Sequence, residues 1–288
     1  MTSRIDAAEA ARILLSATED GYTATAVTVV GSDAAPALLG RRLVRIVERG
    51  STEACTRTLG GFDDPELEAR ATTLMDDVMG DPRGRDGLRT LTTDAGTEIE
   101  VYLEVRRPIR ELVVVGAGHI AQPMAHIGTL LGYRVTVLDD RPDFATRERF
   151  PDAHRLVRAD FSDPFAEVPI HDRSHLLLVT RGHKYDYECL IRALRMDPAP
   201  AYIGMIGSRR RVRATYVQLV EEGISHELID RIHAPVGLDI GAETPEEIAV
   251  AVAAELVMLS RGGSGAPLKD VERVAERFFG HRREEQNA

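Results

Sequence analysis

The chain has few cysteines and no long apolar run, and both shortages limit the kind of protein it encodes. Its 288 residues contain two cysteines, Cys55 and Cys189, too few for a disulfide framework or a cysteine-rich zinc cluster. No stretch approaches the roughly 20 apolar residues that cross a bilayer. We therefore expect a reducing environment and no membrane-spanning helix.

Positive charge is also in short supply, because 36 Lys and Arg stand against 46 Asp and Glu and give a formal net charge of -10. Nucleic acids and anionic membrane surfaces attract basic proteins, so neither is expected as a main partner. The N-terminal residues mix charges with apolar side chains and lack the apolar centre of a signal peptide. We expect a cytoplasmic protein.

The strongest pattern covers residues 111–142, which have the character of strand, glycine turn, helix and strand. Gly116, Gly118 and Ala121 follow an apolar run at the spacing G-x-G-x-x-A of dinucleotide-binding folds. The first glycine of that motif permits a tight turn, and the second lets a phosphate approach backbone N–H groups at the positive end of a helix. This stretch predicts a Rossmann-type nucleotide site that includes His119 and Ile120.

A second predicted strand, residues 134–138, ends in Asp139 and Asp140. These carboxylates lie about twenty residues past the turn, where an acidic residue normally binds ribose hydroxyls. They complete the dinucleotide pattern.

Strands and helices then alternate as far as residue 261, which predicts a parallel sheet with ligands at the carboxyl ends of its strands. The predicted strands are 112–115, 134–138, 155–158, 174–180, 201–205 and 232–236, and the later helices are 184–196, 208–222 and 244–260. We predict an α/β protein: a C-terminal Rossmann-like doubly wound sheet (108–261), a smaller N-terminal α+β domain (1–107) and a tail (262–288).

The N-terminal part mixes helical and strand periods. Predicted helices cover 5–18 and 64–79, predicted strands cover 23–30, 42–48, 88–92 and 98–104, and residues 56–61 lead into a Gly-Gly turn. Asp64 and Pro65 are well suited to the start of the second helix.

Two further loops at predicted strand ends carry polar groups suited to an anion. Thr180, Arg181, Gly182 and His183 gather a hydroxyl, a guanidinium and an imidazole, although a helix start with solvated charges has the same composition. The other loop contains Gly207, Ser208, Arg209 and Arg210. Ser208 suits a helix cap, and arginines at a helix start are better explained by a bound anion than by helix stability. Ion pairing to the acidic remainder of the chain is the alternative.

A fourth loop places Asp239 between Gly237 and Gly241, where it could accept hydrogen bonds from a ligand or orient His233. A purely structural turn is the alternative reading. Thr244 begins a capping box and needs no functional explanation.

Familiar catalytic and metal-binding patterns are missing. No Ser nucleophile elbow or Walker A loop is present, and His171 and His175 lack a third ligand at metal-site spacing. Cys189 lies in a predicted helix and is interpreted as a packing residue. No metal site is predicted.

Four stretches in order, GAGHIA with VTVLDDRPDFA, LLLVTRGHKYDYECLIRAL, AYIGMIGSRRR and HAPVGLDIGAETPEEIAVAVAAELV, resemble the XdhC/CoxI family of accessory proteins for xanthine dehydrogenase and related molybdenum enzymes. The N-terminal part is similar only in outline. The family's first domain commonly has a Gly-Gly-Cys turn, whereas here Gly60 and Gly61 precede Phe62.

The resemblance implies a cytoplasmic homodimer that binds molybdenum cofactor, as molybdopterin or its cytosine dinucleotide, supports its sulfuration and inserts it into a molybdenum hydroxylase apoenzyme. A cysteine desulfurase is a further implied partner. The residues carried over to cofactor binding are Gly116, Gly118, His119, Arg181, His183, Ser208, Arg209 and Asp239. The missing cysteine at the Gly-Gly turn argues against a sulfur-handling role for that turn.

An NAD(P)-dependent oxidoreductase acting on a small molecule is the alternative, because the fingerprint and Asp139 are intact. In that case His183 is the candidate acid/base, since an imidazole exchanges protons near neutral pH. No catalytic residue is otherwise assigned.

Overall fold

The computed structural model describes residues 4–32, 35–47, 56–81 and 83–273. Its strands form two sheets, one of five strands and one of six. The predicted division at residue 107 stays a prediction, although the last strand of the first sheet ends at Arg106 and the next strand begins at Glu111. The predicted tail beyond Arg273 lies outside the described residues.

The N-terminal sheet is antiparallel with the order β3-β2-β1-β5-β4. Alternation along β1 buries Ala24 and Ala26 beside α1, and Val27 and Val29 beside α2, so one helix covers each face. The elements are α1 (Ala7–Glu19), β1 (Thr23–Gly31), a 3₁₀ turn (Pro36–Leu38), β2 (Arg42–Val47), β3 (Thr56–Gly60), α2 (Pro65–Gly80), β4 (Gly87–Thr92) and β5 (Glu98–Arg106). Strand β3 was not predicted, because its side chains are mostly polar and lack an apolar alternation.

The second sheet is parallel with the order β11-β10-β9-β6-β7-β8. Its strands are β6 (Glu111–Val115), β7 (Arg134–Asp139), β8 (Arg155–Arg158), β9 (Ser174–Leu178), β10 (Tyr202–Met205) and β11 (Ile232–His233). The helices are α3 (Ala121–Leu130), α4 (His183–Leu194), α5 (Arg209–Glu221), α6 (His226–Ile229), α7 (Pro245–Arg261) and α8 (Leu268–Glu272). This doubly wound order confirms the predicted fold class.

Helices cover both faces of the parallel sheet. One core contains buried residues of α3 and α7, such as Met124 and Val252, and the other contains buried residues of α4 and α5, such as Leu190 and Leu219. The last strand is shorter than predicted, because Pro235 has no N–H to donate to a ladder. No helix in the described part of the chain is both long and apolar enough to span a bilayer.

Candidate functional site

The strand order reverses at β6, which has β7 on one side and β9 on the other. Val115 of β6 pairs with Leu138 of β7 and with Leu178 of β9. Sheets of this kind bind ligands in the crevice beyond the carboxyl ends of the strands at such a reversal. Here the chain leaves β6 through Gly116 and leaves β9 through Thr180, so two of the predicted loops border one crevice.

The two glycines of the fingerprint have different roles. Gly116 has a φ of 101°, and a Cβ atom on it would lie 2.8 Å from the carbonyl oxygen of Val179. A Cβ atom on Gly118 would meet no heavy atom within 4 Å. Gly116 is thus required by the fold, whereas Gly118 leaves open space where a ligand can approach the backbone.

Two helices start at this crevice, and neither start is capped by a side chain. Helix α3 follows Ile120 and α4 follows Gly182, without a side-chain hydrogen bond to the first turn at either position. The other described helices of eight or more residues all have an Asp, Ser or Thr cap, namely Asp6, Asp64, Ser208 and Thr244. Because first-turn N–H groups carry partial positive charge, the starts of α3 and α4 suit an anion.

Asp139, at the end of β7, is 2% exposed and is held by the protein itself. Its Oδ2 accepts from Ala117 N–H at 2.7 Å and from Arg141 Nη2 at 2.8 Å, and its Oδ1 accepts from Arg141 N–H at 2.9 Å and Nε at 2.8 Å. Burial alone would raise the pKa of Asp139, but these hydrogen bonds outweigh it and lower the pKa to about 2. All four lone-pair positions of the carboxylate are used, so Asp139 holds the glycine turn in place.

Asp140 and Arg181 connect the two sides of the crevice. Arg181 Nη2 donates to Asp140 Oδ2 at 2.8 Å and to the Tyr185 hydroxyl at 2.7 Å. The hydrogen bond to Tyr185 and the charge of Asp140 raise the pKa of the Arg181 guanidinium. The Arg181 side chain is 42% exposed, so the guanidinium also faces solvent.

A pair of arginines around Phe144 completes the crevice, and the sequence reasoning missed it. The guanidinium carbons of Arg141 and Arg149 lie 3.5 and 4.6 Å from the Phe144 ring centre. Arg149 Nη2 donates to the carbonyl oxygen of Ala117 at 3.1 Å. The run rich in arginine and phenylalanine that follows β7 was the sequence signal for this pair.

Asp186 and Arg211 tie the loop after β9 to α5. Asp186 is fully buried and accepts from Thr180 Oγ1 at 2.6 Å and from Arg211 Nε at 2.7 Å. Arg211 therefore makes its ion pair with a carboxylate inside the protein. Arg209 and Arg210 are exposed and pair with no acidic side chain among the described residues. Gly207 and the Ser208 cap precede them, with Ser208 Oγ accepting from Arg211 N–H at 3.3 Å.

The fourth loop is held by a residue that the sequence reasoning did not select. Glu255 of α7 is 7% exposed and accepts from Tyr202 Oη at 2.7 Å and Gly237 N–H at 2.8 Å, and its Oε1 lies 3.1 Å from His233 Nδ1. Glu255 thus orients His233, and the suggestion that Asp239 does so is wrong. Asp239 is exposed, and its predicted ligand contact stays a prediction.

The remaining predicted residues lie near the crevice. His119 is exposed, and Ile120 is half-buried just before α3. His183 opens α4, but its side chain lies outside the described atoms, so its acid/base role stays a prediction.

The turn at Gly60 and Gly61 is closed by Phe62, which is 1% exposed. Phe62 N–H donates to Glu68 Oε1 at 2.7 Å. In the described part of the chain the cysteine is Cys189, which is buried, and burial raises the pKa of its thiol. Cys55 lies outside the described residues. Phe62 has no sulfur, and the Cys189 thiol is buried, so neither position supplies a reactive sulfur.

Residues 112–256 match the family model described as the XdhC Rossmann domain. The chain is 34% identical over 182 residues to the uncharacterized protein YqeB of Escherichia coli, covering 63% of this chain and 33% of that protein. It is 31% identical over 157 residues to a probable xanthine dehydrogenase subunit of Bacillus subtilis, covering 54% of this chain and 45% of the relative. The alignments thus span less than half of either relative's length.

Among solved structures, the fold is similar to that of a xanthine dehydrogenase from Bacillus halodurans. The TM-score is 0.50 and the sequence identity 17%, over 88% of this chain and 96% of that one. At this identity the similarity concerns the fold alone.

Proposed function

The chain belongs to the family of the XdhC Rossmann domain, and we propose that it is an accessory protein that binds molybdenum cofactor and inserts it into a molybdenum hydroxylase. The Bacillus subtilis relative, whose name places it with xanthine dehydrogenase, supports a client of that class. The cofactor itself supplies the molybdenum centre that the client uses. The chain's own residues serve to bind and orient it.

The observation that carries the proposal is the pair of uncapped helix starts at one crevice. The pterin cofactor carries a phosphate, or a pyrophosphate in its dinucleotide form, and N–H groups at helix starts bind such anions. Gly118 leaves the approach to α3 open, and Arg181 places a guanidinium beside α4. Arg209 and Arg210 add positive charge at the start of α5. These groups fit an anionic ligand in a chain whose net charge is -10.

Sulfur for the cofactor comes, in this proposal, from a separate protein such as a cysteine desulfurase. Phe62 occupies the turn where the family commonly has cysteine, and Cys189 is buried with a raised thiol pKa. A donor protein would then deliver sulfur directly to the bound cofactor. Cytoplasmic location and a homodimer belong to the same proposal and rest on the family resemblance, and light scattering of the purified chain tests the dimer.

An NAD(P)-dependent oxidoreductase is the second candidate, because the fingerprint turn lies at the reversal of the strand order. The ribose of such a cofactor needs a free carboxylate acceptor at the end of β7. Asp139 is saturated by Ala117 and Arg141, and Asp140 is paired with Arg181. The first proposal is therefore better supported.

The test is anaerobic calorimetry with isolated molybdenum cofactor, with NAD and NADP as competitors. We expect binding that neither nucleotide displaces. Gly118→Ala places a methyl group in the open approach and should weaken binding at least about tenfold, because backbone N–H groups can no longer approach the phosphate. Gly80→Ala, which also adds a methyl group in open space but at the end of α2, is the matched control.

A second pair of variants tests the arginines. Arg209→Ala or Arg210→Ala should weaken binding about tenfold, since each removes a charge-assisted contact to phosphate. Arg213→Ala, farther along α5, should leave the affinity unchanged. Binding of NAD or NADP without binding of molybdenum cofactor would overturn the proposal in favour of the oxidoreductase.

A further inference from the structure

A cavity of about 500 Å³ lies beside the crevice, between α3, the connection from β7 to β8 and the start of α7. This volume is in the range of small-molecule sites, roughly 300–1,000 Å³. Apolar atoms of Pro123, Phe150 and Pro245 contribute to its walls, and His119 belongs both to its lining and to the fingerprint turn. The cavity is therefore next to the place where a phosphate would meet α3.

Arg149 joins the cavity to the glycine turn. It lines the cavity and donates to the carbonyl oxygen of Ala117 at 3.1 Å. With the Gln122 amide oriented to satisfy both groups, its oxygen accepts from Arg149 Nη2 at 2.6 Å and from Nε at 3.2 Å. Gln122 also lines the cavity, so its NH₂ group remains as a donor for a ligand.

A carboxylate on the cavity wall is held with one oxygen unused. His126 Nδ1 lies 2.6 Å from Asp152 Oδ2, and both residues line the cavity. No described group donates to Asp152 Oδ1, and the Asp152 side chain is 43% exposed. Asp152 Oδ1 is thus available as an acceptor on the cavity wall.

We infer that this cavity binds the nucleoside part of a nucleotide whose base carries an exocyclic amine. The phosphate would lie at the α3 start, the base would enter the cavity, and Asp152 Oδ1 would accept from the amine. A base with a carbonyl oxygen in that position would meet a carboxylate without a proton between them. The inference shares the α3 start with the proposed function and rests on it there, but it requires a nucleotide and not the molybdenum centre.

The test is calorimetry of the full chain with two pairs of probes, AMP with IMP and CMP with UMP, which differ by an amine against a carbonyl. At least one amine-bearing member should bind about tenfold more tightly than its partner. In Asp152→Asn this ratio should fall to nearly one, because a carboxamide both donates and accepts. Asp143→Asn changes an exposed carboxylate of the same connection that lies outside the cavity, and the ratio should persist.

Equal affinities within both pairs, or a ratio that survives Asp152→Asn, would overturn the inference. A ratio is measured within one variant, so a general loss of stability does not produce the expected result. Nucleotide binding without molybdenum cofactor binding keeps the inference and removes the proposed function, and the reverse result removes the inference alone. A nucleotide that displaces the cofactor shares the α3 start with it, as the cofactor's own nucleotide arm would. A nucleotide that binds beside the cofactor would overturn the inference, because its phosphate would then lie away from the α3 start.

Discussion

The N-terminal sheet and the crevice of the parallel sheet both contain helix starts and glycine turns. In the N-terminal part the protein's own side chains cap or fill them, whereas at the crevice they stay open. In the N-terminal part the first turns of α1 and α2 are capped by Asp6 and Asp64. At the crevice, α3 and α4 start without a side-chain cap. Each uncapped start gives up roughly 1 kcal/mol that a cap supplies. In the proposed function, an anionic ligand takes the place of a cap at these two helix starts.

Glycine turns differ in the same way. After Gly60 and Gly61 the chain places Phe62 in the core, where it is 1% exposed. After Gly116 the chain leaves open space around Gly118. The first turn is thus filled by the protein and contributes to stability, while the second remains accessible. The following predictions test this contrast.

The largest effect is expected at the filled turn. Phe62→Ala should lower the free energy of unfolding of the N-terminal part by about 3–5 kcal/mol, because it removes a buried ring and leaves a cavity. Urea unfolding followed by circular dichroism measures the loss. Leu88→Ala, at a position 64% exposed on β4, should change the free energy by less than about 0.5 kcal/mol. Equal effects of the two variants would contradict the assignment of Phe62 to the core of the N-terminal part.

A smaller effect, dependent on pH, is expected at the open turn after Gly116. The pKa of folded Asp139 is about 2 against an ordinary 3.8. Its contribution, roughly 2 kcal/mol, is thus fully present above pH 3.8 and is lost as the pH falls toward 2. Asp139→Asn should reduce stability by about 2 kcal/mol at pH 7.

Urea unfolding of the wild type and of Asp139→Asn at pH 7 and at pH 3 checks this linkage. The difference between the two proteins should shrink at the lower pH, since protonation of Asp139 weakens the same contacts. A difference that stays constant with pH would show that Asp139 does not contribute as a carboxylate.

Removing the side-chain cap of α2 should lower the free energy of unfolding by about 1 kcal/mol. Asp64→Ala removes the acceptor for the N–H groups of Glu66 and Leu67, both at 3.1 Å. Asp77→Ala, an exposed position later in α2, is the control and should stay within about 0.5 kcal/mol of the wild type. The quantity to measure is again the free energy of unfolding in urea. A loss of the same size in both variants would remove the cap assignment.

The smallest change in stability is expected when an open helix start is closed. Gly182 has φ -161° and ψ 149°, the extended conformation of a capping residue. Gly182→Asp should therefore stabilise the chain by a few tenths of a kcal/mol, visible as a small rise in Tm. It should also weaken anion binding, because a carboxylate would occupy the start of α4.

Calorimetry with molybdenum cofactor tests the second effect, with Gly182→Ala as the uncharged control. Unchanged affinity in Gly182→Asp would exclude the α4 start from the site and leave α3 as the uncapped helix start that meets the ligand.

Local sequence patterns predicted most of the fold. The apolar run before Gly116 and the helical periods between later strands gave the parallel sheet, because periodicity and glycine spacing act over a few residues. Short or polar elements were missed, as with β3 and α6. Their stability depends on neighbours in space, and these leave little trace in a local pattern.

The sequence by itself determined that a glycine turn, two polar loops and an arginine-rich helix start would meet at one sheet edge. Only the tertiary structure decided how the charged groups are used. Arg211 turns inward to Asp186, Glu255 rather than Asp239 orients His233, and Arg149 reaches back to Ala117. The partners in the first and last of these pairs lie 25 and 32 residues apart in sequence. The choice among acceptors depends on distances that exist only once the chain has folded.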